Sequence, residues 1–233
     1  MRFPPFRHVA RLTLTLLIVA VPAAAGVIRG ELWLSHKAAD HAHAADAATV
    51  STRRPAPSPP PRSQRGVADG VIYVETVPEK VEKKLAPKPN ARKKPPLPRI
   101  VQLNQRYEPR VLATPIGCAV ELENLDRVYH NTFSVSVAKR FDLRKYPPGH
   151  RDTLTFERCG VVNLHCDIHP DEIGYVVVVP NHVFTRPDST GRFALPKLPP
   201  GAYTLRVWHP RLGELTRAVT VPKHGDTQIV LAY

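Results

Sequence analysis

From residue 100 to its end the chain is written in short runs of β-branched and apolar residues, each closed by Gly, Pro, Asn or Asp. Val111-Leu112-Ala113 runs into Pro115 and Gly117, and residues 119–122 alternate up to Asn124. Residues 132–137 alternate Phe and Val with Ser and Thr, and residues 175–179 form an apolar run closed by Pro180. In residues 202–208, Tyr203, Leu205 and Val207 fall on one face. A period of two places successive side chains on opposite faces of a strand. Strands this short, with turn signals this frequent, predict an all-β chain of sandwich or barrel type. No helical period is expected beyond the leader.

The start of the chain reads as an export signal. Arg2, Arg7 and Arg11 precede a largely apolar run of ten, residues 12–21, followed by Pro22 and Ala23-Ala24-Ala25. Ten residues are too few to span a bilayer core of about 30 Å. The small residues offer a signal-peptidase site, so residues 1–25 are expected to be cleaved before Gly26 and the mature protein to be periplasmic. An uncleaved membrane anchor is the competing reading.

The net charge of +13 is concentrated in one region. Between Ser51 and Arg99 stand twelve Lys or Arg against four Asp or Glu, a net of +8, together with eleven of the 26 prolines. Such a stretch is expected to stay extended and solvated, so residues 51–69 and 78–98 read as basic loops or linkers. They offer an arm for an acidic partner or an anionic membrane surface. Nucleic acid is not an expected partner, because no aromatic residues are interleaved with the basic ones on a regular element.

The chemistry lies in Cys166-Asp167-Ile168-His169-Pro170. A thiolate and an imidazole three residues apart at a strand end can reach one ion from a single loop. A second imidazole must come from elsewhere, and His130, near Asn124 and Asp126, is the candidate. Two imidazoles and one thiolate form the trigonal set used for one-electron copper chemistry. The competing reading is a buried thiol with two structural histidines. His36, His41, His43 and Asp40 read as loop positions, and His165 should face away from Cys166. No Ser-His-Asp order, paired acids or phosphate loop is present, so no enzyme activity is expected.

Taken in order, Gly117, Asn124-x-Asp126, His130-Asn131, Thr155-Phe156, Gly160, His165-Cys166-x-x-His169-Pro170 and Gly174-Tyr175 resemble the cupredoxin family, especially amicyanin and the plastocyanin-like methylamine-utilisation proteins. The resemblance covers residues 99–180. It implies a Greek-key sandwich holding one copper ion, cycling Cu(I)/Cu(II), on His130, Cys166 and His169, with electrons exchanged with a redox partner protein. Members of this type carry an axial methionine six residues after the cysteine, where this chain has Glu172, and Met1 is its sole methionine. Three outcomes stay open: Glu172 binds axially through oxygen, Glu172 faces solvent and leaves three ligands, or the site has drifted towards zinc. On the same template Asn131 restrains the loop of His130, and Cys118 and Cys159 meet at the far end of the sandwich as a possible disulfide. That bridge would contribute about 4 kcal/mol by loop closure.

The tail, with Asp188-x-x-Gly191-x-Phe193 and Leu198-Pro199-Pro200-Gly201-x-Tyr203, resembles the carboxypeptidase regulatory-like (transthyretin-type) β-sandwich, and Gly26 to Gly30 offers a near match to that family's first strand. Residues 26–77 and 181–233 are therefore expected to form one small sandwich, with the copper domain inserted in it or beside it. Electron transfer is the function this implies. The alternatives are copper storage or delivery, and a carbohydrate- or envelope-binding module with a degenerate metal site.

Overall fold

The computed structural model describes residues 25–33, 67–88 and 95–233. The expected signal peptide, the histidines at 36, 41 and 43, and most of the 51–69 linker lie outside the described residues. Among the described residues no helix is long and apolar enough to cross a membrane.

The fold is all-β, with sixteen strands in four sheets among the described residues. The central segment supplies β3 (Arg99–Gln102), β4 (Tyr107–Glu108), β5 (Val111–Pro115), β6 (Ala119–Asn124), β7 (His130–Val135), β8 (Arg140–Tyr146), β9 (Arg151–Thr155), β10 (Gly160–His165) and β11 (Ile173–Val179). One sheet has the order β4-β3-β6-β9 and the other β5-β11-β10-β7-β8. Their facing side chains, among them Ile100, Tyr107, Val120, Leu122, Phe156, Val162, Leu164, Val176 and Val178, form one apolar core. The buried Glu123 on β6 is matched by Arg99 on β3 at 2.7 Å and Arg151 on β9 at 2.7 Å. A carboxylate is tolerated inside only when paired in this way.

The two ends of the described chain build the other pair of sheets. β1 (Ile28–Trp33) lies between β13 (Arg192–Ala194) and β16 (Thr227–Ala232). The order β12 (Phe184–Thr185), β2 (Val71–Val74), β14 (Gly201–His209), β15 (Gly213–Val221) makes the second sheet. Ile28, Leu32, Ile72, Val74, Phe193, Leu205, Val207 and Leu231 fill the space between them.

A third apolar cluster joins the two sheet pairs. Val111 and Ala113 of β5 and Val177 and Val179 of β11 pack with Val71 of β2 and Trp208 of β14. Along β11 the even-numbered valines enter the central core and the odd-numbered ones enter this shared layer. That explains why residues 175–179 are uninterruptedly apolar: the strand is covered on both faces.

One expectation is corrected here. The 78–98 stretch is not all linker, because Glu79–Leu85 is a helix, α1. Val81 is buried in the flanking core, with Val77 and Leu85 packed against it four residues to either side. Glu79 and Lys83 pair at 2.6 Å, and Glu82 accepts the backbone N–H of His182 at 2.9 Å. Seven residues are marginal as an isolated helix, so tertiary contact holds what composition read as a linker. β8 is a strand that no expectation covered. Its residues 140–143 alternate, with Phe141 and Leu143 facing the core, and the period breaks at Arg144, whose φ is 63°.

Candidate metal centre

Cys166, His169 and Glu172 come from the single loop between β10 and β11. The strands close on each other at the pair His165↔Ile173, so residues 166–172 must turn within the width of one strand spacing. Glu172 donates its N–H to the carbonyl of His169 at 3.0 Å, which tightens the turn and brings its side chain back under the loop. His130 opens β7, the neighbour of β10 in the same sheet, with His165 opposite Phe133. Sheet pairing thus carries a residue 36 positions away from Cys166 to the same sheet end.

The four side chains converge. Cys166 Sγ lies 3.8 Å from His130 Nδ1 and 3.7 Å from His169 Nδ1, and the two nitrogens are 3.2 Å apart. Glu172 Oε2 lies 2.9 Å from His130 Nδ1 and 3.6 Å from His169 Nδ1. All four ligand atoms lie within 4.8 Å of one another. His130 and Glu172 are fully buried, and His169 keeps 19% of its side chain in contact with solvent.

This arrangement fits a metal ion. A first-row ion bound at about 2.0–2.1 Å to nitrogen and about 2.3 Å to sulfur, with donors spread in a plane, requires N–N edges of about 3.6 Å and S–N edges of about 3.8 Å. Two of the three observed edges match and the third is slightly short. The donor chemistry agrees. His130 lies between two carboxylates, Asp126 at 2.9 Å from Nε2 and Glu172 at 2.9 Å from Nδ1; with the proton on Nε2 the neutral ring turns the Nδ1 lone pair towards the cluster. Nitrogen, sulfur and carboxyl oxygen then face a common point, which calls for a cation among them, a proton or a metal ion. Glu172 Oε1 is also buried with no hydrogen-bond partner among the described residues. Burial, aided by the nearby Glu172, pushes the Cys166 thiol above its ordinary range, while backbone N–H groups of Asn131, His169 and Ile168 pull it down. A bound cation decides that balance in favour of the thiolate.

Around the ligands lies a buried polar layer that the sequence reading missed. Tyr107 on β4 donates to the carbonyl of His165 at 3.2 Å and contacts Thr132 Oγ1 at 3.1 Å. Thr132 in turn meets Tyr146, which bonds Gln102. Burial, with Glu172 and Cys166 nearby, holds both phenols well above the usual tyrosine range, so they remain neutral. Gly174 allows this packing, since a Cβ there would come within 2.8 Å of the Tyr107 side chain. Asp126 was legible only as part of a motif. Its carboxyl is opposed by burial but held below the ordinary range by N–H bonds from Gln105 and Asn104 and by His130.

The remaining expected site residues fall as follows. Asn131 is buried and donates from Nδ2 to Asp142 on β8 at 2.8 Å, tying the His130 end of β7 to the neighbouring strand. His165 is half-buried with its ring beside Phe133. The expected disulfide is corrected: Cys118 and Cys159 are both free. Strand pairing sets Cys118 opposite Phe156, whose N–H bonds the Cys118 carbonyl at 3.1 Å, and Cys159 lies three residues further on, exposed in the turn before β10.

No protein-family model matches the chain, and no curated protein is significantly similar to it. Among solved structures it is similar to a purple cupredoxin from Nitrosopumilus maritimus at 31% identity, covering 35% of this chain and 98% of that one, with a TM-score of 0.32. It is similar to a copper-containing nitrite reductase from Thermus scotoductus at 25% identity, covering 40% of this chain and 25% of that one, with a TM-score of 0.36. A reduced amicyanin variant matches at 24% identity over 40% of this chain and 91% of its own, with a TM-score of 0.34.

Proposed function

We propose that this chain is a cupredoxin-like copper protein that carries single electrons, in which His130, Cys166 and His169 would hold one ion and Glu172 would supply a fourth donor. The observation that carries the reading is the convergence of four lone-pair donors, three of them buried, on one point. Copper bound there supplies a one-electron Cu(I)/Cu(II) couple. Soft sulfur suits the reduced ion, and imidazole and carboxylate suit the oxidised one. The donors sit at the end of one strand and on one short loop closed by its neighbours, so they cannot rearrange far when the charge changes. Closure supports a carrier over an enzyme: among the described residues His130 and Glu172 are sealed from solvent, and His169 keeps an accessible edge for an electron to enter or leave.

The leader sequence supports export to the periplasm, where a redox partner protein would meet the His169 edge. The basic 51–99 segment would favour an acidic partner or the anionic membrane surface. Copper storage or delivery, metal-independent binding of carbohydrate, and a zinc site are outcomes of the same test. Purified mature protein is mixed with Cu(II) and its visible spectrum and voltammogram are recorded. An intense thiolate-to-copper band, lost in Cys166→Ser, together with a reversible one-electron wave, is expected. Loss of copper on reduction would point to delivery. A colourless protein that takes up only Zn(II), or no metal, would overturn the reading.

A further inference from the structure

The β3–β4 hairpin is closed by a two-residue turn in which Leu103 and Arg106 exchange both backbone hydrogen bonds, at 2.9 and 3.2 Å. Asn104 and Gln105, its central residues, have φ of 54° and 55°. Hairpin turns of this hand favour Asn-Gly or Gly-Gly, because the left-handed region is costly for a residue with a Cβ. Gln at the second position is therefore a local penalty, and it persists only where the surroundings over-determine it.

The turn aims two successive N–H groups at one carboxylate. Asn104 donates to Asp126 Oδ1 at 2.6 Å and Gln105 to Oδ2 at 2.8 Å. Consecutive amides in such a conformation make a concave anion cradle. The Asp126 backbone is pinned as well, its N–H bonding Asn124 Oδ1 at 2.9 Å, while Asn124 Nδ2 holds the carbonyl of Val128 at 2.9 Å. The third donor to the same carboxylate is His130 Nε2, 2.9 Å from Oδ2. The hairpin tip, the 124–128 loop and the buried histidine thus meet on one side chain.

We propose that Asp126 is a positioning residue for the metal centre: held by the Asn104–Gln105 cradle, it keeps the proton of His130 on Nε2 and so presents Nδ1 to the cluster of Cys166, His169 and Glu172. Its effect on copper rests on the function proposed above; its effect on the histidine belongs to the metal-free protein. A carboxylate hydrogen-bonded to the far nitrogen of a ligating imidazole fixes the ring and strengthens it as a donor. The added negative charge favours the more highly charged oxidised ion and lowers the reduction potential.

The test compares the full mature chain with Asp126→Asn. Long-range proton–nitrogen NMR of the metal-free parent is expected to show His130 protonated at Nε2, and the variant to show mixed tautomers. Titration with Cu(II) alone should give an affinity about 10- to 100-fold weaker in the variant. Its reduction potential should be higher, a change that loss of stability alone would not produce. A variant with unchanged affinity and potential overturns the proposal. If the variant does not fold, the parent spectrum decides: His130 unprotonated at Nε2 also overturns it. A parent with the expected tautomer that binds no copper would retain the positioning role and remove the function above.

Discussion

Replacing Glu172 by Met separates what this side chain does for the metal from what it does for the fold. Its carboxyl is buried, one oxygen has no hydrogen-bond partner, and the other lies 2.9 Å from His130 Nδ1. An unsatisfied buried polar group costs about 1–3 kcal/mol, and methionine fills a similar volume without it. The metal-free variant should gain about 2 kcal/mol, roughly 4–8 °C in unfolding temperature for a chain of this size. The loaded protein should respond in the opposite sense. Even a unit charge about 4 Å away is worth about 4 kcal/mol at an effective dielectric near 20, and a bound carboxylate is closer, so this is a lower bound. Part of that is offset by the penalty of burying the charge, so a net loss of about 100-fold in Cu(II) affinity is expected. At ligand concentrations far above Kd, a 100-fold loss removes about 2.7 kcal/mol of ligand-induced stabilisation. Thermal unfolding followed by circular dichroism, with and without saturating Cu(II), measures both quantities. Equal copper-induced shifts in parent and variant would refute the ligand role. A metal-free variant less stable than the parent would refute the claim that this carboxyl is a burden to the fold.

Trp208→Ala should cost about 3–5 kcal/mol, because this ring packs on Tyr175 with centroids 5.3 Å apart inside the layer joining the sheet pairs. Denaturant titration should then show the two sheet pairs unfolding separately. Gly174→Ala forces Tyr107 aside and should cost about 1–3 kcal/mol by overpacking. Its denaturation midpoint should fall and its copper band should shift, since Tyr107 lies beneath the metal loop. Asp188 is held below its ordinary range first by Thr190, and Asp226 by the N–H of Val27 and then by Arg29. Their folded pKa values lie below the unfolded one, so their contribution is complete above about pH 4 and is lost as pH falls through the folded values. Asp226→Asn should therefore flatten the acid limb of stability below about pH 4 in denaturant titrations.

The loop ligands were readable because they are local. Cys166, His169 and Glu172 recur every third residue, and the strands that close the loop announce themselves as apolar runs ending at turn residues. His130 was readable only through the order and spacing of several motifs together, since nothing in its neighbourhood alone distinguishes it from the other histidines. Helix α1 was missed because Lys and Pro dominate the 78–98 stretch in which it lies, while the Glu82–His182 contact that helps hold it joins residues 100 apart and Val81 is buried in the flanking core. The disulfide was expected from shared location at one end of a sandwich, but register sets Cys118 against Phe156.

Read alone, the sequence determines the alternation of short strands, and hence an all-β chain, because side-chain period and turn chemistry are local properties. It also determines the donor types available to a metal. Tertiary structure decided which of those donors meet, that Glu172 is turned inward and not towards water, and that Asp126 stands behind His130 under a hairpin tip from another sheet. It decided as well that β11 is covered on both faces. The reason is physical: sheet register and face-to-face packing bring together residues that no local pattern links, and they alone set the few ångströms on which coordination depends.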